Sequence, residues 1–389
     1  MRQGSRVCAV VAAGLSASAA SAAGLTTLAT FDNTNGANPE AGLILLGGTL
    51  YGTTYYGGPN NDGTVFSVPV TGGEPATLAS FNYANGAYPS GLILSGNTLY
   101  GTTQQGGANT IGTVFSVPII GGTLTTLTPL IYNNGVNPYA GLIFSGSTLY
   151  GTAGGGGDSY YGTVFSVPIT GGMPTTLTSF NVANGSSPFA GLILSGSTLY
   201  GTTRDGGACD DGIVFSLPVA GGSPTTLATF NGTNGANPYA ELVLSGSTLY
   251  GTTELGGAYD SGIVYSVPIT GGAPTTLATF NGTNGAYPQA VLTLSGSTLY
   301  GTTSYGGPNN DGTIFSLPIT GGAPTTLASF DGTNGGNPSS GLILSGSTLY
   351  GTTAGGGANN YGTVFSVVLP EPGSLMLLCL PALLLRRAR

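Results

Sequence analysis

The sequence predicts an all-β fold, a seven-bladed β-propeller of four-stranded antiparallel blades, from three observations. First, the tripeptide Leu-Tyr-Gly recurs seven times, at intervals of 49 residues once and 50 residues five times. Repeats of this length are typical of propeller blades and solenoid coils. Second, each interval holds four short runs rich in β-branched and aromatic residues, separated by Gly, Asn, Pro and Ser, as strands and turns require.

The third observation is the order of these runs along the chain. Residues 241–280 read ELVL, STLYGTT, GIVYSVP and TTLATF, which we name strands a, b, c and d. The repeat region starts with a lone d strand at 26–31 and ends with strands a, b and c over 341–367. We expect the first strand to pair with the last c strand, because this closes the ring and protects the sheet edges. Strand a has no polar alternation, so we expect it to be covered on both faces.

A parallel β-helix or solenoid is the alternative fold. Each repeat would then form two or more coils, and the 71 glycines would be accounted for. This alternative gives no reason for a d strand to be displaced to the start of the chain. The propeller is therefore the preferred prediction, with one domain over residues 23–369.

The two ends of the chain do not match the repeat and instead have the composition of sorting signals. Residues 1–22 combine Arg2 and Arg6, a short apolar run and an Ala-Ser-Ala cleavage site, which is the pattern of a secretory signal peptide. Residues 370–389 combine Pro-Glu-Pro, a short apolar run and a basic terminus. The apolar run is shorter than the ~20 residues that span a bilayer, and its basic end is expected to stay cytoplasmic.

This tail resembles the PEP-CTERM sorting signal, whose three parts occur here in the same order. The resemblance implies an exosortase-type processing enzyme as a partner, in Gram-negative bacteria that make exopolysaccharide. We expect export to the cell surface, outer envelope or extracellular space, with transient anchoring in the inner membrane through the tail alone. The residues that carry the motif are Pro370, Glu371, Pro372, Arg386, Arg387 and Arg389.

The composition excludes several classes of function. The chain has no His and no Lys, so a Ser-His-Asp triad, a P-loop and a Schiff base are unavailable. Between the two signals, Arg204 stands against 13 acidic residues, a balance of −12. This charge disfavours nucleic acids, whose phosphates are bound by Lys and Arg. Cys209 is the one cysteine between the signals, so no internal disulfide is predicted.

The repeated motifs are LYGTT, a following Gly-Gly and GTVF, which first stand at 50–54, 57–58 and 63–66. They resemble the GloVer-type bacterial tandem repeat, and the resemblance covers nearly all of residues 24–369. It implies secreted or surface proteins of repeat architecture, with no established reaction and no catalytic residues to transfer.

Any ligand is expected at one rim of the ring. In an up-and-down blade the b–c and d–a loops share a rim, and these loops vary between repeats while the a–b turn is nearly constant. Tyrosines and amides there suit a neutral polysaccharide, although tyrosines also cover loops without touching a ligand. The candidate ligand-binding residues are Tyr55, Tyr56, Tyr139, Arg204, Asp205, Tyr239, Tyr259 and Tyr305.

No cofactor and no catalytic residue is predicted. Aspartates in the b–c loops could offer oxygen ligands to Ca²⁺, but their spacing matches no known loop, and Asp before Gly commonly closes a turn. An enzyme would rely on carboxylates alone. The tight polar clusters are Asp210 with Asp211, or Asp205 near Arg204, and adjacent residues at a strand end point apart. The loop aspartates are Asp62, Asp158, Asp210, Asp211, Asp260 and Asp311.

The sequence therefore predicts a non-enzymatic, exported repeat protein, a structural or interaction module of the cell envelope or extracellular matrix. One alternative is a polysaccharide-binding propeller, and a second is a carboxylate-dependent glycan-active enzyme. Exopolysaccharide or other envelope components are the expected partners, nucleic acid is not, and membrane contact is expected only through the tail.

Overall fold

The computed structural model describes residues 24–370, which form seven four-stranded antiparallel sheets arranged as a β-propeller. Six sheets run through four consecutive strands, so each repeat makes one blade in the order a, b, c, d. Within these residues there is no helix with the length and apolarity needed to cross a membrane. The predicted secretory signal and nearly all of the predicted sorting signal lie outside the described residues.

Strands a and b form the inner half of each blade. The a strands are β2 (Ile44–Leu46), β6 (Ala87–Ser95), β10 (Ile143–Ser145), β14 (Ile193–Ser195), β18 (Val243–Ser245), β22 (Thr293–Ser295) and β26 (Ile343–Ser345). The b strands are β3 (Thr49–Thr54), β7 (Thr98–Gln105), β11 (Thr148–Ala153), β15 (Thr198–Thr203), β19 (Thr248–Thr253), β23 (Thr298–Thr303) and β27 (Thr348–Thr353).

Strands c and d form the outer half. The c strands are β4 (Thr64–Pro69), β8 (Thr113–Pro118), β12 (Thr163–Pro168), β16 (Ile213–Pro218), β20 (Ile263–Pro268), β24 (Thr313–Pro318) and β28 (Thr363–Val368). The d strands are β1 (Leu25–Thr30), β5 (Ala76–Ser80), β9 (Thr125–Pro129), β13 (Thr175–Ser179), β17 (Thr225–Thr229), β21 (Thr275–Thr279) and β25 (Thr325–Ser329).

The ring closes as predicted. Strand β1 pairs antiparallel with β28, from Leu25 opposite Val367 to Thr30 opposite Thr363, and supplies the outermost strand of the last blade. Just beyond this ladder, the amide of Phe31 donates to the carbonyl of Gly362 at 3.1 Å. Among residues 24–370, all strand pairing falls between β1 and β28, and these strands close the ring.

The core lies in the seams between neighbouring blades. A fully buried side chain that follows strand d of one blade meets the aromatic ring of strand c in the next, as Phe230 meets Tyr265 with centroids 4.9 Å apart, edge to face. Six seams repeat this aromatic pair, and the seventh has Leu130 in place of the first ring.

The glycine of Leu-Tyr-Gly makes room for the seam. A β-carbon at Gly351 would lie 2.6 Å from Cζ of Phe365, and equivalent contacts recur at this glycine in every blade. Only a residue without a side chain lets the ring pack flat on strand b. The tyrosine before it packs across the seam: Tyr200 joins the cluster that holds Phe230 of its own blade and Tyr265 of the next blade.

Strand a is covered on both faces, as its unbroken apolar run predicts. Ile193 packs into one seam cluster and Leu194 into the other. Six of the a strands are three residues long, shorter than the GLIL run suggests, because the preceding glycine and leucine belong to the segment that borders the central cavity.

Candidate functional site

The b–c and d–a loops of each blade are joined by backbone hydrogen bonds, so the variable residues of both loops meet on one rim. In the first blade, the amide of Ala37 donates to the carbonyl of Tyr56 at 2.9 Å, and the amide of Tyr56 donates back at 3.0 Å. Equivalent bridges join Ser186 to Asp205 and Ala286 to Tyr305. These hydrogen bonds hold the b–c and d–a loops side by side on the predicted rim, and we call this surface the variable rim.

Asparagines of the d–a loops also reach back to the preceding blade. Nδ2 of Asn237 donates to the carbonyl of Arg204 at 3.1 Å, and Nδ2 of Asn337 donates to the carbonyl of Ser304 at 3.2 Å. Nδ2 of Asn38 makes the same bond to Ala354 across the point where the ring closes. These bonds fix the loops of successive blades relative to one another.

The variable rim surrounds a central cavity of roughly 590 Å³. In six of the seven d–a loops, the residue that directly follows the proline lines the mouth of this cavity. The identity of this residue differs from blade to blade. The residues at this position are Glu40, Tyr139, Phe189, Tyr239, Gln289 and Ser339, and the second blade lacks it.

Three consecutive blades place aromatic rings at the mouth, and we call Tyr139, Phe189 and Tyr239 the aromatic arc. The centroids of Tyr139 and Phe189 are 4.3 Å apart, and those of Phe189 and Tyr239 are 5.7 Å apart. The guanidinium carbon of Arg204 lies 6.0 Å from the Phe189 centroid, so one ring of the arc already accepts an organic cation on its face.

Hydrogen-bonding side chains line the rest of the mouth. The hydroxyl of Tyr55 donates to Oε1 of Gln104 at 3.0 Å. Nε2 of Gln289 donates to Oε1 of Glu254 at 2.9 Å, and the hydroxyl of Ser304 donates to Oε1 of Gln289 at 3.2 Å. Amides and hydroxyls held in this way are oriented before a ligand arrives.

Two residues further along each d–a loop, just before strand a, a ring of mostly small residues also lines the cavity, and we call it the inner ring. It departs from glycine in two adjacent blades, by Glu241 and Val291. A β-carbon at Gly191 would lie 2.7 Å from Oε2 of Glu241, so the glycine of the neighbouring blade makes room for this carboxylate. The other members of the inner ring are Gly42, Gly91, Gly141, Gly191 and Gly341.

The cavity perturbs the ionisation of the groups that face it. The half-buried carboxyl of Glu241 loses hydration, and this raises its pKa to about 7. Burial also raises the pKa of Glu40, which stands at the mouth. Burial first, then the negative charge of Glu40, raises the pKa of Tyr239 to about 12, so its hydroxyl remains a neutral donor.

The structure gathers half of the predicted binding residues around this cavity. Tyr55, Tyr139, Tyr239 and Tyr305 line it. Tyr56 lies beside them, with its ring 4.7 Å from that of Tyr55, edge to face.

The other candidates stand outside the cavity lining. Arg204 pairs with Asp205 at 3.2 Å and reaches Glu254 at 3.9 Å. Tyr259 projects from a b–c loop with 63% of its surface exposed.

Two of the six loop aspartates close a turn through their side chains. Oδ1 of Asp210 accepts the amide of Gly206, and Oδ1 of Asp260 accepts the amide of Gly256, each at 2.9 Å. Both residues have positive φ, as Asn has at the same place in three other blades. In the part of the chain that the structure describes, no three Asp, Glu, Cys or His side chains gather as a metal site.

Sequence reasoning missed Glu40, Phe189, Glu241 and Gln289. All four fall within the Asn-Pro-x-Ala-Gly segment of the d–a loop and its variants, at x or at the final glycine. The signal that would have found them is the alignment of the repeats at this segment, where a glutamate replaces glycine in one copy.

Comparison of the sequence with protein families gives a match to the Gloeobacter/Verrucomicrobia repeat over residues 15–215 and 170–365. A search of curated proteins gave no match.

Solved structures share the fold at low sequence identity. A puromycin-hydrolysing peptidase from Mycobacterium tuberculosis is 14% identical with a TM-score of 0.53, over 87% of this chain and 53% of the peptidase. This chain therefore spans about half the length of that enzyme. An oligogalacturonate lyase, solved in complex with manganese, is 13% identical with a TM-score of 0.56, over 90% of this chain and 94% of the lyase. These likenesses establish the propeller fold.

Proposed function

Because this chain belongs to the Gloeobacter/Verrucomicrobia repeat family, whose match spans its repeats, we propose that it is an exported, non-enzymatic interaction module of the cell envelope or matrix. We further propose that it binds polysaccharide at the mouth of its central cavity. The sequence alone favoured a structural module and gave polysaccharide binding as the alternative, and the cavity now favours binding.

The aromatic arc opposite oriented polar groups is the observation that carries this proposal. Tyr139, Phe189 and Tyr239 offer ring faces to the apolar side of a sugar ring. Gln104 and Gln289 offer both donors and acceptors to its hydroxyls. A cavity of roughly 590 Å³ is within the range of small-molecule sites.

A non-enzymatic role is favoured by the placement of the carboxylates. Asp210 and Asp211, the pair that the sequence put forward for catalysis, lie outside the cavity lining, and Asp210 is engaged in its loop. Glu40 and Glu241 do line the cavity. They make glycan hydrolysis the second candidate, which the experiment below distinguishes.

The test is affinity electrophoresis of residues 24–370 through gels that contain exopolysaccharide from the host. We expect retardation by the polysaccharide, lost when Tyr139 and Tyr239 are both changed to Ala. The control is Tyr259→Ala, which removes an exposed tyrosine outside the cavity and should keep the retardation.

Two results would count against this proposal. Retardation that the double variant retains would remove the cavity as the site. Reducing ends released by the unmodified protein, and abolished by Glu241→Gln or Glu40→Gln, would replace binding with catalysis.

Export and processing are tested separately. The secretory pattern at 1–22 and the tail at 370–389 support delivery through an exosortase-type enzyme. We expect the protein at the cell surface or in the medium, and a form lacking 370–389 should bypass membrane retention. Cytoplasmic location of both forms, by fractionation, would contradict export.

A further inference from the structure

The inner ring carries one ionisable side chain, and it lines the same cavity as the aromatic arc. Tyr239 and Glu241 are separated by one residue of the d–a loop. Both line the cavity. The carboxylate of Glu241 reaches toward Gly191 of the neighbouring blade, two residues after Phe189, where an added β-carbon would lie 2.7 Å from its Oε2. It therefore shares the cavity with the rings of the aromatic arc.

No basic residue balances this carboxylate among the described residues that line the cavity. Arg204, the one basic residue of the described chain, is held at the rim by Asp205 and Glu254. The second acid of the lining, Glu40, adds negative charge at the mouth. A partly desolvated carboxylate without a counter-charge is costly, and a cationic group of a ligand would relieve that cost.

The kind of cation follows from the surroundings. Calcium takes six to eight oxygens, and the described residues contain no acidic cluster of three that would begin such a shell. An organic ammonium group is satisfied by a single carboxylate together with aromatic ring faces. Glu241 and the aromatic arc supply these two features in one cavity.

We propose that the cavity selects glycans that carry a free amino group, with the carboxylate of Glu241 binding the ammonium and the aromatic arc packing on the amino sugar. This inference rests on the proposed binding function and names its ligand class. Burial that raises the pKa of Glu241 is consistent with it, because an unpaired carboxyl in the cavity holds its proton until a cation replaces it.

The experiment compares two oligosaccharides that differ only at nitrogen. Tetramers of glucosamine and of N-acetylglucosamine are titrated calorimetrically into residues 24–370 at pH 6.5. We expect the amine form to bind about ten-fold more tightly, as a charge-assisted hydrogen bond allows. Glu241→Gln should abolish this preference.

Two further variants test whether the preference for the amine depends on Glu241 in its place in the cavity. Glu74→Gln removes the same charge from an exposed c–d turn on the opposite rim and should keep the preference. Gly191→Ala sets a methyl group against the Glu241 carboxylate and should reduce the preference while Glu241 itself is unchanged.

The outcomes separate the two proposals. If neither tetramer binds and the host polysaccharide does not bind, the binding function fails. If saccharides bind but the amine form has no advantage, or Glu241→Gln keeps that advantage, the amine selectivity is overturned and the binding function remains.

Discussion

The seams between blades and the inner ring of the cavity are made by the same repeated unit, yet they differ in how much the copies vary. Six of seven seams hold an aromatic pair with centroids 4.9 to 5.2 Å apart. The inner ring instead replaces glycine by Glu241 in one blade and Val291 in the next.

This contrast shows at which positions a single repeat can carry a side chain that the other repeats lack. In a seam, each strand c ring is packed on a glycine of the same blade and on a residue that follows strand d of the preceding blade, so a change in the size of any of these side chains disturbs the packing. At the inner ring, a new side chain can extend into the cavity over a neighbouring glycine. Side chains that differ between repeats therefore occur at the cavity, while the seam residues stay nearly the same.

The largest expected effect tests the seam. Phe230 is fully buried against Tyr265, and Phe230→Ala should lower the free energy of unfolding by about 3 to 5 kcal/mol, measured by urea denaturation. Phe230→Leu, which copies Leu130 of another seam, should cost about 1 kcal/mol. Equal losses from the two variants would show that the ring itself does not matter.

The next effect tests the inner ring through pH. The folded protein raises the pKa of Glu241 from 4.5 to about 7, so the folded state holds a proton that the unfolded chain releases. This penalty is absent below pH 4.5, grows as the pH rises to 7 and stays constant above it. Glu241→Gln should therefore stabilise the protein by up to about 3 kcal/mol at pH 8 and by almost nothing at pH 4.

Thermal unfolding across that pH range measures the difference between Glu241→Gln and the unmodified protein. Glu74→Gln is the control, and it should give the same curve as the unmodified protein at every pH. A stability difference that does not change with pH would show that the carboxyl is ordinarily hydrated.

The smallest effect concerns the one tyrosine at the ring position of strand c. Tyr265 is fully buried, and its hydroxyl has no hydrogen-bond partner among residues 24–370. Tyr265→Phe restores the residue used by the other blades and should stabilise the fold by about 1 kcal/mol. Loss of stability, measured by urea denaturation, would indicate that this hydroxyl is satisfied in solution.

The sequence predicted the fold well because its period and the displaced first strand report directly on ring geometry. Strand β1 pairs with β28 in the expected way. The rim was also foreseen, since loop order follows from strand order. Glu241 was not, because its role depends on Gly191 of a different blade, a contact that spacing along one repeat does not reveal.

The pairing of Leu25 with Val367 also constrains how the protein is made. Synthesis from the N-terminus completes six blades while the first strand still has no partner, because that partner, β28, follows all six along the chain. During synthesis the leading strand is an open edge that could recruit the wrong neighbour. Formation of this final blade is therefore the step at which crowding or truncation would most readily produce misassembled protein.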